Sequence, residues 1–330
     1  MMTNDIKILV IDPLDDEFFN ILNDKAVIIK AYNCHQNLIE LVRDVSVIVT
    51  RSSHKIDKAV IDNAKNLKII ARAGVGLDNI DVDYAIRQGI TVISTPDAST
   101  RAVAELTMGF IIALARRMTA FNRFMQDGEW CKNSTFGVEL AGKTLGIIGL
   151  GRIGSQVAKL ARAFRMRVIA YDPYISPVKA KKLKVELKKN LDDLLVESDF
   201  VSIHASLTSE TRGLIGEREL RLMKPTAFLV NTARGAIVDE NALVKALREN
   251  WIAGAALDVY SEEPLPREHP LRKMENTILT PHIASYTYEA IRKTDEMVLE
   301  ALETFFSGGK PKWIANPEVW HLIELEKTKY

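Results

Sequence analysis

The chain has few cysteines: two, Cys34 and Cys131, in 330 residues. They lack partnered spacing and have no ligand cluster beside them, which excludes a disulfide framework and points away from a structural metal. Their scarcity fits a reducing compartment. Long apolar runs are also missing. Phe110–Ala115 is the core of an apolar helix, but Arg116 and Arg117 follow, so it is too short to span a bilayer. Met1–Asp5 carries no charged-then-apolar leader. A soluble, cytoplasmic protein is expected. Neither charge sign dominates: 44 Lys and Arg stand against 43 Asp and Glu, for a net charge of +1. That leaves no global attraction to nucleic acid or to anionic membranes. The lysines of Lys179–Lys189 have helical spacing with apolar residues between them and read as a solvated helix face. No low-complexity segment or simple repeat occurs.

What is present is alternation. Ile6–Ile11, Ser46–Thr50, Leu67–Ala71 and Ile90–Ile93 read as short strands, with helical patterns at Glu17–Leu22, Gln36–Val42 and Asp57–Ala64. A long helix is expected over about Ala102–Met125. Alternation resumes from Thr144, with strands at Phe200–His204, Ala227–Asn231, Gly254–Leu257 and Thr277–Leu279. Strands alternating with helices predict α/β architecture with doubly wound parallel sheets, and the length leaves room for two domains. The helical tail Tyr288–Phe306 is expected to pack back on the first unit. The expected division is therefore a discontinuous domain, 1–101 with 285–330, and a second domain, 102–284.

The second unit opens with an informative pattern. The apolar run Thr144–Ile148 leads into Gly149-Leu-Gly151-Arg152-Ile153-Gly154. A helical stretch, Ser155–Phe164, follows, then the apolar run Met166–Tyr171, ending in Asp172. Strand, glycine turn, helix, strand and acid make the βαβ unit that binds a dinucleotide. Gly149 allows the tight turn, Gly151 lets the backbone approach a pyrophosphate at the helix N-terminus, and Gly154 lets helix and strand pack closely. Asp172 can accept hydrogen bonds from both hydroxyls of an adenosine ribose and would repel a 2′-phosphate, which favours NAD over NADP. Just upstream, Gly137-Val-Glu-Leu-Ala-Gly142-Lys143-Thr144 matches the P-loop pattern. Thr144 opens a strand where a P-loop must open a helix, so the match reads as a turn.

Three later segments place polar residues just after apolar strands, the end of an open parallel sheet where ligands bind. Arg234 follows one strand, and its planar fork suits a carboxylate; an arbitrary arginine is more often a surface residue. Asp258 and Glu263-Pro264 follow the next, where an acidic surface loop is the plain alternative. His282, after Pro281, is either a structural cap or a general acid, since imidazole titrates near operating pH. Together these give a cation, a carboxylate and an imidazole at successive strand ends beside an NAD fingerprint. That set is suited to moving a hydride to or from an α-hydroxy or α-keto acid.

These motifs resemble those of the D-2-hydroxyacid dehydrogenase family over nearly the whole chain: Ala73–Asp81, Gly149–Gly154, Asn231–Asp239, Asp258 with Glu263-Pro264, and Pro281-His282. Within the family, Thr50-Arg51-Ser52, Arg72-Ala-Gly, Ser99–Glu105, Tyr171–Pro177 and Gly254–Val259 most resemble the D-3-phosphoglycerate dehydrogenases. The resemblance implies a Rossmann NAD-binding domain and a flavodoxin-like substrate domain. It implies that His282 exchanges the proton on the substrate oxygen, that Glu263 hydrogen-bonds and orients His282, and that Arg234 binds the substrate carboxylate, helped by the amides of Val75 and Gly76. Arg152, Ile153 and Asp172 would hold the pyrophosphate and ribose; Ala205, Ser206, Thr232, Ala233, Asp258 and Ser285 would line the cofactor. For a phosphorylated substrate Arg51 is the first phosphate ligand and Arg72 the second.

The implied activity is NAD-dependent oxidation of 3-phospho-D-glycerate in serine synthesis. A glyoxylate or hydroxypyruvate reductase is the near alternative and an NAD-sensing corepressor-like binding protein the remote one. Ser99 and the run Ala284-Ser285-Tyr286 depart from the phosphoglycerate pattern and bear on substrate identity. A homodimer is implied, with a tetramer left open, and neither a C-terminal serine-binding regulatory domain nor feedback through one is expected.

Overall fold

A computed structural model of the chain describes residues 6–32, 37–132 and 136–320. Met1–Asp5, Cys34 and the start of the Gln36–Val42 pattern, all discussed above, lie outside the described residues. The chain divides into two compact units, Met1–Ser99 with Thr287–Tyr330, and Thr100–Tyr286. Among the described residues no helix is long and apolar enough to cross a membrane.

The first unit carries strands β1 (Lys7–Val10), β2 (Val27–Lys30), β3 (Val47–Thr50), β4 (Ile69–Arg72) and β5 (Thr91–Ile93). They form a parallel sheet in the order β2-β1-β3-β4-β5. Between them run helices α1 (Asp16–Leu22), α2 (Leu38–Leu41), α3 (Lys58–Asn63) and α4 (Val82–Arg87). Each begins where a side chain takes an orphan amide: Asp15, Asn37, Asp57 and Asp81 are the N-caps. Alternate strand residues face opposite ways. Ile8, Val10, Val47 and Val49 pack with Phe18 and Phe19 of α1 and with Val298 and Leu302 of the helix Tyr288–Phe306. Leu9, Ile48 and Ile70 pack with Val60 and Ile61 of α3. The expected strands do not include β2. It is an edge strand of four partly exposed residues, so no continuous apolar run marks it.

In the second unit, α5 (Thr100–Ala115) and α6 (Met118–Gln126) replace the single helix expected over Ala102–Met125. The break has one local cause and one distant one. Arg117 adopts φ +50, the left-handed conformation that ends a helix, and the Ala115 carbonyl accepts from Val138 N–H at 2.8 Å. Then come β6 (Thr144–Ile148), α7 (Arg152–Ala163), β7 (Arg167–Tyr171), α8 (Pro177–Leu183), β8 (Glu186–Leu187), α9 (Leu191–Glu197) and β9 (Phe200–Ile203). They are followed by α10 (Glu217–Leu222), β10 (Phe228–Asn231), α11 (Glu240–Arg248), β11 (Gly254–Leu257) and β12 (Thr277–Leu279). The seven parallel strands run β12-β11-β10-β9-β6-β7-β8. Strands β6, β9 and β11 are buried throughout, as expected of a parallel sheet covered on both faces. Leu145, Ile147, Val230 and Ala256 face α5 and α7; Ile148, Val201, Leu229 and Leu257 face α9, α10 and α11. The strand order reverses at β6, which pairs with β7 on one side and β9 on the other. A cleft for a ligand lies at the carboxyl ends of such a switch point. Helix α12 (Tyr288–Phe306) is capped by Thr287 and belongs to the first unit.

Candidate functional site

The glycine turn sits at the end of β6. Gly149 has φ +89, and a Cβ there would meet Ala205 N at 2.7 Å, so the turn passes directly over the end of β9. A Cβ on Gly154 would stand 2.1 Å from the Gly149 carbonyl oxygen, which is how closely α7 packs on the turn. Gly151 is the N-cap of α7 and gives no side-chain cap, and nothing lies within 4 Å of where its Cβ would be. The N-terminus of α7 thus opens toward free space, where backbone N–H groups and the helix dipole favour an anion. Asp172, past the end of β7, accepts from Leu150 N–H (2.8 Å) through Oδ2 and from Tyr174 N–H (2.9 Å) through Oδ1. A carboxylate has about four acceptor sites, so ribose hydroxyls still find room. These residues fit a dinucleotide: Gly149, Gly151, Arg152, Ile153 and Gly154 at the pyrophosphate, Asp172 at the ribose.

The chemically versatile side chains cluster on the same unit. Past β10, Asn231 is buried and braces the turn, accepting from Ala233 N–H (3.0 Å) and donating to the Arg234 carbonyl (2.9 Å). Gly235 packs so tightly that a Cβ would lie 1.9 Å from the Tyr260 carbonyl carbon. That contact brings the Arg234 turn against the loop carrying Glu263. Arg234 Nη1 donates to the Ala233 carbonyl (2.6 Å). Glu263 Oε1 accepts from Tyr260 N–H (3.0 Å), and its Oε2 lies 2.7 Å from His282 Nδ1. Burial pushes the Glu263 carboxyl up. The bonds from His282 and Tyr260 N–H, with the charges of His282 and Arg234, outweigh burial and hold it below the usual carboxylate range. An ionised carboxylate only accepts, so Nδ1–H is the donor and Nε2 of the ring is left to exchange a proton.

His282 itself adopts φ +56, an uncommon conformation for a side-chain-bearing residue. Asp258 holds it there. Fully buried, Asp258 accepts from Thr280 Oγ1, from Ile283 N–H (2.8 Å) and from Ala284 N–H (2.8 Å), bracketing the histidine on both sides. Asp258 was expected to line the cofactor; its carboxylate is taken up by the loop that carries His282. The Thr232 hydroxyl, expected in the same lining, is buried against Thr107 Oγ1 at 3.0 Å. Ala205 follows β9 beside the glycine turn, Ser206 is exposed, Ala233 is half-buried past β10, and Ser285 is half-buried in the loop after His282.

The expected substrate ligands Arg51, Arg72, Val75 and Gly76 belong to the first unit. Arg51 leaves the carboxyl end of β3 and Arg72 ends β4, where Thr50 and Arg72 are register partners. Arg51 is not a free cation: Nη2 donates to Asp295 Oδ1 (2.6 Å) and Nε to the Pro13 carbonyl (3.0 Å). Arg72 Nη1 donates to the Ala73 carbonyl (2.8 Å). Val75 is 40% exposed and Gly76 is half-buried.

Three features escaped the sequence reading: the Asn231 brace, the Asp258 bracket and His204. His204 Nε2 lies 2.8 Å from Ser202 Oγ, while Nδ1 is buried without a hydrogen-bond partner. Burial drives this ring down to about 3. A polar residue closing the apolar run of β9 was the available signal.

Residues 108–284 match the model of the D-isomer specific 2-hydroxyacid dehydrogenase NAD-binding domain. The chain is 44% identical over 312 residues to the D-3-phosphoglycerate dehydrogenase of Methanocaldococcus jannaschii, covering 94% of this chain but 59% of that protein's length. It is 48% identical over 295 residues to the glyoxylate reductase of Aeropyrum pernix, covering 86% of this chain and 87% of that one. Among solved structures, D-lactate dehydrogenase from Aquifex aeolicus complexed with NAD and lactic acid superposes with a TM-score of 0.82 at 30% identity, over 92% of this chain and 96% of that one.

Proposed function

Because the chain belongs to the D-isomer specific 2-hydroxyacid dehydrogenase family, and is thus an NAD-dependent oxidoreductase, we propose that it oxidises 3-phospho-D-glycerate to 3-phosphohydroxypyruvate through Arg234, Glu263 and His282. The observation that carries the catalytic assignment is the 2.7 Å contact between Glu263 and His282, on the same unit as the glycine turn. Bound NAD supplies the hydride acceptor. The residues supply the rest. Arg234 grips the substrate carboxylate and polarises the reacting C–O bond. His282 Nε2 takes the hydroxyl proton in oxidation and returns it in reduction. Glu263 fixes the ring and balances the charge it gains. Val75 and Gly76 offer amides to the carboxylate. We read the described residues as part of a soluble, cytoplasmic homodimer.

Two arginines at neighbouring strand ends, Arg51 and Arg72, support a phosphorylated substrate, since a phosphate needs charge and forked donors. The similarity to glyoxylate reductases supports a second reading, with an unphosphorylated keto acid such as glyoxylate or hydroxypyruvate as the substrate. Steady-state reduction by NADH of 3-phosphohydroxypyruvate, hydroxypyruvate and glyoxylate in parallel separates the two. A lead of about a hundredfold in kcat/KM for the phosphorylated compound, about 2.7 kcal/mol at the transition state, upholds the first reading. Comparable values, or a lead for glyoxylate, replace it with the second.

A further inference from the structure

Arg51 is held both at its backbone and at its guanidinium. Asp12 and Asp295 are both buried, 6% and 3% exposed. Asp12 takes the Arg51 backbone N–H at 2.5 Å and also accepts from Thr50 and Ser53, while Asn79 Nδ2 donates to the Arg51 carbonyl at 3.2 Å. Asp295, on α12, accepts Arg51 Nη2 through Oδ1 (2.6 Å) and Asp15 N–H through Oδ2 (2.9 Å). Pro13 takes Nε. Nη1 has no partner among the described residues, and the side chain keeps 17% of its exposure. One edge of the fork is therefore fixed by the protein and one nitrogen is left over, at the ligand end of a parallel sheet.

We infer that Asp295 is a specificity-determining positioning residue, fixing Arg51 so that Nη1 is presented to the substrate's distal phosphate. This rests on the phosphorylated-substrate reading above. An arginine at a strand end loses rotamer freedom when it binds an anion; here Asp295 and Pro13 have already ordered it. Asp295 also offsets part of the Arg51 charge. A neutral hydroxymethyl group then gains little at this point, whereas a dianionic phosphate still gains a charge-assisted bond.

The test compares wild type, Asp295→Asn and Asp295→Ala by the ratio of kcat/KM for 3-phosphohydroxypyruvate to that for hydroxypyruvate, with NADH. Asp295→Ala is expected to lower the ratio about tenfold, with the change in KM of the phosphorylated substrate. Asp295→Asn keeps an oxygen for Nη2 at neutral-bond strength and should lower the ratio about threefold. If the alanine variant does not fold, the asparagine variant decides alone. An unchanged or raised ratio in either variant overturns the inference while the phosphate reading stands. A wild-type ratio near unity overturns both.

Discussion

Glu263 Oε2 receives the Nδ1–H of His282 at 2.7 Å, and its other oxygen is held by Tyr260 N–H. A carboxylate fixed at both oxygens can keep an imidazole in one tautomer and one orientation. Glu263→Gln keeps the shape and removes the charge. We expect kcat to fall about a hundredfold while NADH affinity holds; stopped-flow turnover with fluorescence titration checks this, and a kcat near wild type would refute the orienting role.

Asp258 should act through His282. Its three accepted bonds fix residues on both sides of a backbone at φ +56. In Asp258→Asn the amide group must turn a donor either toward Thr280 Oγ1 and Ile283 N–H or toward Ala284 N–H. We expect kcat to drop by at least about tenfold and stability to fall by about 2 kcal/mol, with the NADH dissociation constant little changed. A large loss of NADH affinity with normal kcat would instead make Asp258 a direct cofactor ligand.

Asp172 lies past β7 with acceptor capacity unspent. Asp172→Ala removes the repulsion of a 2′-phosphate and the acceptors for ribose. The ratio of kcat/KM for NAD to that for NADP should fall by at least about tenfold. An unchanged ratio means another residue sets the preference.

His204 makes a pH prediction whose sign is fixed by burial. Its folded value is about 3 against an ordinary 6.5. Between those two pH values the unfolded chain binds a proton that the folded chain does not, so stability rises with pH across the window. The contribution is complete above pH 6.5 and is lost toward pH 3, at up to about 1.4 kcal/mol per pH unit. Melts of wild type and His204→Asn at pH 7.5, 6.5 and 5.5 should show a shallower acid loss in the variant. Parallel curves would contradict it.

What the sequence made legible was whatever local sterics dictate. Gly149–Gly154 and the apolar runs beside it announce their turn and strands, because a tight turn needs glycine and a buried parallel strand needs continuous apolar residues. The 19-residue helix Tyr288–Phe306 announces itself by length and spacing. The break at Arg117 was not legible, because it depends on Val138 reaching the Ala115 carbonyl. Nor were the partners of Arg51 and Asp258: Asp295 lies 244 residues from Arg51, and Ile283 and Ala284 lie 25 and 26 residues beyond Asp258. Sequence spacing carries no record of such pairs. Spacing marked Asp258 as a polar residue at a strand end, and the family resemblance marked Arg51 as a phosphate ligand, but neither shows what already occupies them.

The most direct test of the account is His282→Ala, assayed for both turnover and cofactor binding. If Nε2 of His282 exchanges the substrate proton, kcat for keto-acid reduction falls by about a thousandfold, while NADH still binds with near wild-type affinity by fluorescence titration. Turnover that survives the substitution would contradict the assignment and remove the chemical role from the Glu263–His282 pair.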